Sequence, residues 1–291
     1  MTGGSFKPME HYKYKPWRFY FYVFAFTWLF WIIAALVGRN EDQSNLALGF
    51  MLLGLLVPAL TALIMVFTSG NMLLKADFKR KLTGFYRLNI KNLFSAFAVF
   101  AGVVVISIGI SLLFGGSPKQ FGLTEGSSFS IYGASALITI LLASVIEEVG
   151  WRGYGEDAVG YYHSWFWESI IFGTVWSLWH LPLFFIPGSY HHGLVALGPI
   201  HVANFLISVV PFGFIVTWVY LGNNRSMLAS ILFHIFVNFL QENIAMTPET
   251  KCIQSLVIFA VAILIVALNR NMFFDRSHIG RLLENDGRLR S

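Results

Sequence analysis

Hydrophobic residues fill the chain in runs of roughly 20, the length that an α-helix needs to cross the hydrocarbon layer of a membrane. We predict eight spans, over residues 17–38, 46–69, 92–115, 130–149, 165–186, 202–222, 226–244 and 253–269. No barrel-like alternation occurs, so helices are the structure that can satisfy these backbone groups in lipid. The sequence therefore predicts an all-α integral membrane protein, a polytopic bundle of eight helices.

The polar connections are short, apart from the segment 70–91, "GNMLLKADFKRKLTGFYRLNIK". Its apolar residues alternate with basic ones, a pattern typical of an amphipathic helix lying on a membrane surface. A basic loop is the alternative. The predicted division is an N-terminal tail over residues 1–16, an eight-span domain over 17–269 and a C-terminal tail over 270–291.

Basic residues are distributed unevenly between the two sides of the predicted bundle. Seventeen of the 20 lysines and arginines fall on the side that carries both termini, and only Arg39, Lys119 and Lys251 fall on the other. Cytosolic loops of membrane proteins carry such an excess. We therefore expect a multi-pass protein of the cell membrane with both termini in the cytosol.

The composition agrees with a membrane protein. Of 291 residues, 56% are hydrophobic and 12% are charged, against about 25% charged in soluble domains. The single cysteine, Cys252, excludes an intramolecular disulfide. No nucleic-acid-binding motif is present, so the bilayer is the expected surroundings of the chain and nucleic acid is not an expected partner.

A few ionisable or strongly polar residues interrupt the spans. They are Glu147, Glu148, Arg152, Glu168, His180, His234 and Asn238. Such groups are energetically unfavourable in lipid, so they face a bundle interior or a wet cavity and are candidates for function. For two histidines, an asparagine and two glutamates on three spans, a shared site is favoured over separate hydrogen-bonded core residues.

Glu147 and Glu148 are neighbours on one helix, so their side chains diverge by about 100° and are expected to have different tasks. Glu148 and Arg152 are four residues apart, which allows an ion pair along one face. Glu147 is then a candidate acid or base, and the spacing leaves open which of the two glutamates has which task. A purely structural cluster of the three charges is the alternative.

The other polar groups form two pairs at helical spacing. Trp176 precedes His180 by four residues, and His234 precedes Asn238 by four, so each pair shares a helix face. Counted from the cytosolic end of each span, His234 lies about 12 Å deep and Asn238 about 18 Å deep, whereas His180 lies about 22 Å deep. His180 is thus predicted to lie deeper in the membrane than His234 and Asn238, which fits one shared site less well.

These residue types suit hydrolysis. A carboxylate or imidazole can deprotonate water, and a second histidine with an asparagine amide can stabilise an oxyanion. The same groups, Glu147, His180 and His234, could instead hold Zn²⁺. The sequence contains no H-E-x-x-H and no G-x-S-x-G motif, so the usual zinc-protease and serine-hydrolase patterns are absent.

The three patterns, Glu147-Glu148-x-x-x-Arg152, Trp176-x-x-x-His180 and His234-x-x-x-Asn238, resemble the motifs of the CAAX protease and bacteriocin-processing family of intramembrane proteases. The family usually has Phe where this chain has Trp176. The resemblance implies a cavity open to the cytosol and removal of the last three residues of prenylated CAAX proteins. It implies Glu147 as activator of water, Glu148 and His180 as assistants, and His234 with Asn238 as the oxyanion site.

The resemblance leaves metal dependence open, and a metal-free mechanism is preferred because Asn238 suits an oxyanion donor better than a zinc ligand. Two alternatives from other classes remain. One is a proton-coupled transporter that uses buried Glu and His residues as relays. The other is a membrane scaffold without catalysis.

Overall fold

The computed structural model describes residues 12–124 and 136–276. Five helices in this part of the chain are long and apolar enough to cross a membrane. They are α1 (Pro16–Val37), α2 (Ser44–Phe67), α4 (Ile90–Leu113), α9 (Pro199–Gly222) and α11 (Pro248–Leu268). Many of their large apolar side chains are exposed, as expected of helices that face lipid. The protein is therefore a polytopic helical membrane protein.

Seven shorter helices complete the described part of the chain. They are α3 (Met72–Thr83), α5 (Ala136–Gly150), α6 (Glu156–Gly160), α7 (Trp165–Trp179), α8 (Tyr190–Leu197), α10 (Met227–Asn243) and α12 (Arg270–Phe274). A π-helical turn, Trp151–Gly155, joins α5 to α6. The predicted count of eight spans is not confirmed, because α10 has only 17 residues and the described range contains 15 residues of α5. Residues 130–135 of the predicted fourth span lie outside the described ranges.

The fifth predicted span, 165–186, corresponds to the helical segment Trp165–Phe185, but it is not uniformly α-helical. Helix α7 ends at Trp179, and a 3-10 turn over Leu181–Phe185 follows before α8 turns away by 79°. Pro182 is the physical cause, since proline lacks a backbone N–H and disfavours helical geometry at the residue before it. His180 consequently lies at the C-terminal end of α7, and because α7 is continuous from Trp165, the rise of about 22 Å to His180 is kept.

Glycines allow the helices around the centre of the bundle to approach closely. A Cβ atom on Gly150 would lie 2.5 Å from the Cβ of Pro58, so α5 meets α2 backbone to backbone just after the two glutamates. A Cβ atom on Gly173 would lie 2.8 Å from the carbonyl oxygen of Val210, so α7 and α9 also meet backbone to backbone. Small residues commonly permit such contacts in membranes.

A buried charged cluster fastens α3 to the rest of the bundle. Lys81 on α3 donates to Asp157 on α6 at 2.7 Å, and Arg225 in the turn before α10 pairs with both Asp157 and Asp77. Burial alone would raise the pKa of Asp157, but Arg225 and Lys81 outweigh it and hold that pKa well below its usual value. The predicted helix within 70–91 is confirmed as α3, and its basic-loop alternative is wrong; its position on a membrane surface stays a prediction.

The segment before α1 is held against the bundle from Tyr12 onward. Tyr14 is only 2% exposed, and Tyr12 and the backbone N–H of Lys15 both contact the hydroxyl of Tyr154, at 2.8 and 3.0 Å. Part of the predicted N-terminal tail is thus packed. The remainder of that tail, residues 1–11, and residues 277–291 of the predicted C-terminal tail lie outside the described ranges.

Candidate active site

A cavity of about 550 Å³ opens inside the bundle where α5, α7 and α10 meet. Four of the polar residues singled out from the sequence line it together: Glu147, His180, His234 and Asn238. Trp176 lines it as well, while most of the remaining wall is apolar. Residues from three separate parts of the chain therefore share one chamber in the protein interior.

Glu147 lies against two indole rings. The N–H of Trp176 donates to its Oε2 atom at 3.0 Å, and the N–H of Trp151 approaches the same atom at 3.5 Å. The side chain of Glu147 keeps 7% exposure, whereas that of Glu148 has none. Glu147 is thus the carboxylate that faces the cavity. Both donors are neutral indole N–H groups, so they hold the carboxylate in place without forming an ion pair with it.

Glu148 lies behind the cavity wall. Its Oε1 atom accepts from Arg152 at 3.0 Å and from Nδ1 of His234 at 2.9 Å. The ion pair predicted from the four-residue spacing is present, but the expectation that Glu148 lines the cavity is wrong. The reason is geometric: the side chains of adjacent helical residues point about 100° apart, so only one of the two glutamates can face the chamber. Glu148 instead connects Arg152 to a cavity histidine.

His180 lies at the end of α7, opposite α10. Its Nδ1 atom contacts the carbonyl oxygen of Trp176 at 2.7 Å. A carbonyl can only accept, so Nδ1 carries the hydrogen and Nε2 of the neutral ring has a free lone pair. The ring of Trp176 lies between the two histidines, with centroids 6.0 Å from that of His180 and 5.7 Å from that of His234.

His234 and Asn238 follow one another by one turn of α10. Ser226 caps this helix by accepting a hydrogen bond from the backbone N–H of Ala229 at 3.2 Å, which fixes where the helix begins. Asn238 reaches across to α5, where its amide lies 3.4 Å from the hydroxyl of Ser144. This contact is long for a hydrogen bond, so the amide keeps donor capacity toward the cavity.

Behind Arg152, further buried polar side chains contact one another in series, and the sequence did not predict these contacts. Nε of Arg152 lies 2.8 Å from Glu156, and the hydroxyl of Thr217 lies 2.8 Å from Glu156 and 3.2 Å from Glu168. A hydroxyl has one hydrogen, so only one of these contacts can be its donation; the other requires a proton on a carboxyl group. Glu168, a candidate by its position in a span, is part of this series of buried polar contacts and does not line the cavity.

A zinc ion in a protein takes three or four close N, O or S ligands. Within residues 12–124 and 136–276, no three His, Cys, Asp or Glu side chains lie close enough together to share an ion. The alternative ligand set Glu147, His180 and His234 is thus not arranged as a metal site in this structure. No step of the chemistry below is assigned to a metal.

An apolar helical bundle with a carboxylate and two imidazoles around one cavity is the arrangement expected of an intramembrane enzyme. Residues 130–240 match the family described as type II CAAX prenyl endopeptidase, Rce1-like. The chain is also 37% identical, over 268 residues, to CAAX prenyl protease 2 of Methanococcus maripaludis, an alignment that covers 92% of this chain and 99% of the relative. The chain belongs to this family of CAAX prenyl endopeptidases, as its motifs predicted, and the transporter and scaffold alternatives are not retained.

Proposed function

We propose that this protein removes the C-terminal tripeptide of prenylated CAAX proteins with a water molecule activated by Glu147. The observation that carries the proposal is the shared cavity of Glu147, His180, His234 and Asn238. A carboxylate inside an apolar chamber is a suitable general base, since proton transfer is assisted where bulk water is kept away. Glu147 takes a proton from water, and the hydroxide adds to the scissile carbonyl carbon.

His234 and Asn238 then stabilise the negative oxygen of the tetrahedral intermediate. Because Nδ1 of His234 lies on Glu148, its Nε2 atom can donate only when the ring is a charged imidazolium. The carboxylate of Glu148, 2.9 Å away, favours that charged form. Arg152 holds Glu148 in place through the ion pair at 3.0 Å. Glu148 and Arg152 are thus positioning residues, and their effect reaches the substrate through His234.

His180 assists from the opposite wall. Its Nε2 atom has a lone pair available, so it can hold the water or carry a proton toward the leaving amine as the C–N bond breaks. The prenyl group would lie among the apolar walls, and the body of the substrate would remain in the cytosol. This arrangement requires that the cavity open to the cytosolic side, where we place both termini.

The test is cleavage of a farnesylated Cys-a-a-X peptide by the purified protein, followed by mass spectrometry. We expect release of the intact tripeptide. Glu147→Gln keeps the shape but removes the base, so kcat should fall by roughly 10²–10⁴. Asn238→Ala should lose about 10²–10³ through one missing oxyanion donor. Glu249→Gln, a change at an exposed carboxylate at the start of α11, serves as the control and should cleave normally.

Zinc measured in the same active preparation separates the two ways of activating water. The glutamate-dependent route proposed here predicts much less than one zinc per active chain, and activity that survives chelation. One tightly held zinc per chain, together with loss and recovery of activity on chelation and zinc addition, would overturn it. In that case Glu147, His180 and His234 would have to move together as ligands.

A further inference from the structure

The cavity extends beyond the proposed catalytic residues to a second polar region near the beginning of α11. Lys251 and Gln254 on α11, Gln241 on α10 and Asn204 on α9 line this part of the chamber. They lie on the far side of Asn238 from the beginning of α10. Water activation and oxyanion stabilisation use none of them.

Lys251 is a cation beside a largely apolar chamber. Its Nζ atom lies 5.4 Å from the centre of the Tyr190 ring, and no described carboxylate lies within ion-pair distance of it; Glu242 acts on it only from farther away. A cation that is partly removed from water is unfavourable unless an anion accompanies it. The position therefore suits a ligand that carries a negative charge.

Gln254 supplies a second donor one helical turn away. Its Oε1 atom accepts from Gln241 at 2.9 Å, while its Nε2 atom is enclosed and has no hydrogen-bond partner in the described part of the chain. Gln254 is 3% exposed and lines the same cavity. Residues three apart on a helix lie on one face, so an ammonium and an amide N–H are presented together. Such a pair of donors matches a carboxylate.

The distance from the catalytic residues fits the length of the released peptide. Seven residues of α10 separate His234 from Gln241, a rise of about 10 Å, and Gln241 is in direct contact with Gln254. A fully extended tripeptide spans about 10 Å. A carboxylate held by Lys251 and Gln254 would thus place the peptide bond three residues upstream beside His234.

We propose that Lys251 and Gln254 form the receptor for the free C-terminal carboxylate of the substrate and so determine that three residues are removed. The inference rests on the proposed function and adds a measure of peptide length to it. The distance from Lys251 and Gln254 to the catalytic residues Glu147, His234 and Asn238 sets how many residues lie between the C-terminus and the cleaved bond. A substrate one residue longer would either lose the carboxylate contact or present the wrong bond for cleavage.

The experiment compares farnesylated Cys-a-a-X peptides that end in a carboxylate or in a carboxamide, at equal concentration. The wild-type protein should favour the carboxylate by about 10- to 100-fold in kcat/KM, since a hydrogen-bonded charge contact is lost in the amide. Lys251→Met should cleave the carboxylate peptide as slowly as the amide and leave the amide rate nearly unchanged. Lys251→Arg should retain most of the preference.

Lys119→Met is the matched control, because Lys119 is exposed, does not line the cavity and lies on the same predicted side of the membrane. It should keep the full preference. Equal wild-type rates on the two peptides would overturn the carboxylate receptor while leaving the proposed function intact, and this comparison decides the matter even if Lys251→Met does not fold. A wild-type protein that cleaves neither peptide would overturn the proposed function and the inference with it.

Discussion

The carboxylate of Glu147 is held by hydrogen bonds that no motif would have indicated. The sequence placed Trp176 on the same helix face as His180 and interpreted it as an aromatic wall in place of the usual Phe. The structure adds an indole N–H that donates to Glu147 at 3.0 Å, which Phe cannot supply. The spacing of four residues predicted which helix face carries the ring of Trp176. The hydrogen bond to Glu147 also depends on how α7 packs against α5, and the spacing of residues along one helix does not determine that packing.

Trp176→Phe tests the value of that donor. It keeps an aromatic wall and removes the N–H, so kcat/KM should fall by about tenfold, the loss expected of one hydrogen bond to a charged group at the lower end of the usual range. The effect is limited because Trp151 remains beside the same oxygen. Steady-state cleavage of the prenylated peptide measures it.

Trp167→Phe on the same helix is the control, since Trp167 is 56% exposed and does not line the cavity. Its kinetics should match those of the wild type. An equal loss in both variants would mean that helix α7 has been disturbed, and no loss in either would contradict an orienting role of Trp176.

At the scale of elements, local signals predicted most helices to within a few residues. Apolar runs predicted the spans, while the N-caps Ser226 and Thr247, which fix where α10 and α11 begin, are local signals that the predicted bounds did not use. Pro182 was the one strong local signal that the predicted span 165–186 passed over. The charged cluster around Asp157 had no local signal at all, because its partners come from positions more than 60 residues apart in the chain.

Lys81 connects α3 to the π-helical turn that follows the two glutamates. Its Nζ atom donates to the carbonyl oxygens of Arg152 and Gly153, at 2.8 and 2.9 Å, as well as to Asp157. Lys81→Met would remove one of the two cations that pair with Asp157 and a donor from each of two buried carbonyl oxygens. We expect a loss of about 3 kcal/mol in the free energy of unfolding, typical of breaking a buried ion pair from one side, measured by thermal or denaturant unfolding in detergent.

The matched control is Lys79→Met, a change at an exposed lysine of the same helix, which should shift stability by less than about 0.5 kcal/mol. Acid should reduce the difference between wild type and Lys81→Met. The pKa of Asp157 is held below its unfolded value of about 3.9, so its contribution is complete above that pH and is lost as the pH falls through the folded pKa. A difference that grows in acid would contradict this role.

At the scale of the whole molecule, the helices that carry the site differ from the rest. Helices α7 and α10 have 15 and 17 residues, and α5 has 15 within the described range that begins at residue 136, whereas the five apolar spans have 21 to 24. Hydropathy predicted the long helices well, because each must match the membrane by itself. The site helices mix both roles, since polar side chains face the chamber while α5 also exposes Leu137, Ile138 and Leu142, so hydropathy alone does not fix the number of spans.

The orientation of the molecule is the remaining prediction, and the charge distribution sets it. Seventeen of 20 basic residues share one side, which the positive-inside tendency assigns to the cytosol. In a Cys252→Ser background, Lys79→Cys on α3 and Lys119→Cys between α4 and α5 place single exposed thiols on the two predicted sides. A membrane-impermeant maleimide should label Lys119→Cys in intact cells and Lys79→Cys only in inside-out vesicles, while detergent should expose both.

The background protein without cysteine should remain unlabelled and should still cleave the prenylated peptide, which confirms that the fold is retained. The result bears on the proposed mechanism, in which the tail of a prenylated substrate enters from the cytosol past the beginning of α10. Along that path His234 comes before Asn238 and Gln241. Labelling of Lys79→Cys in intact cells would show that the orientation in the membrane is the opposite of the predicted one. Lys251 would then lie on the cytosolic side, and a tail entering from that side would meet the carboxylate receptor before the catalytic residues.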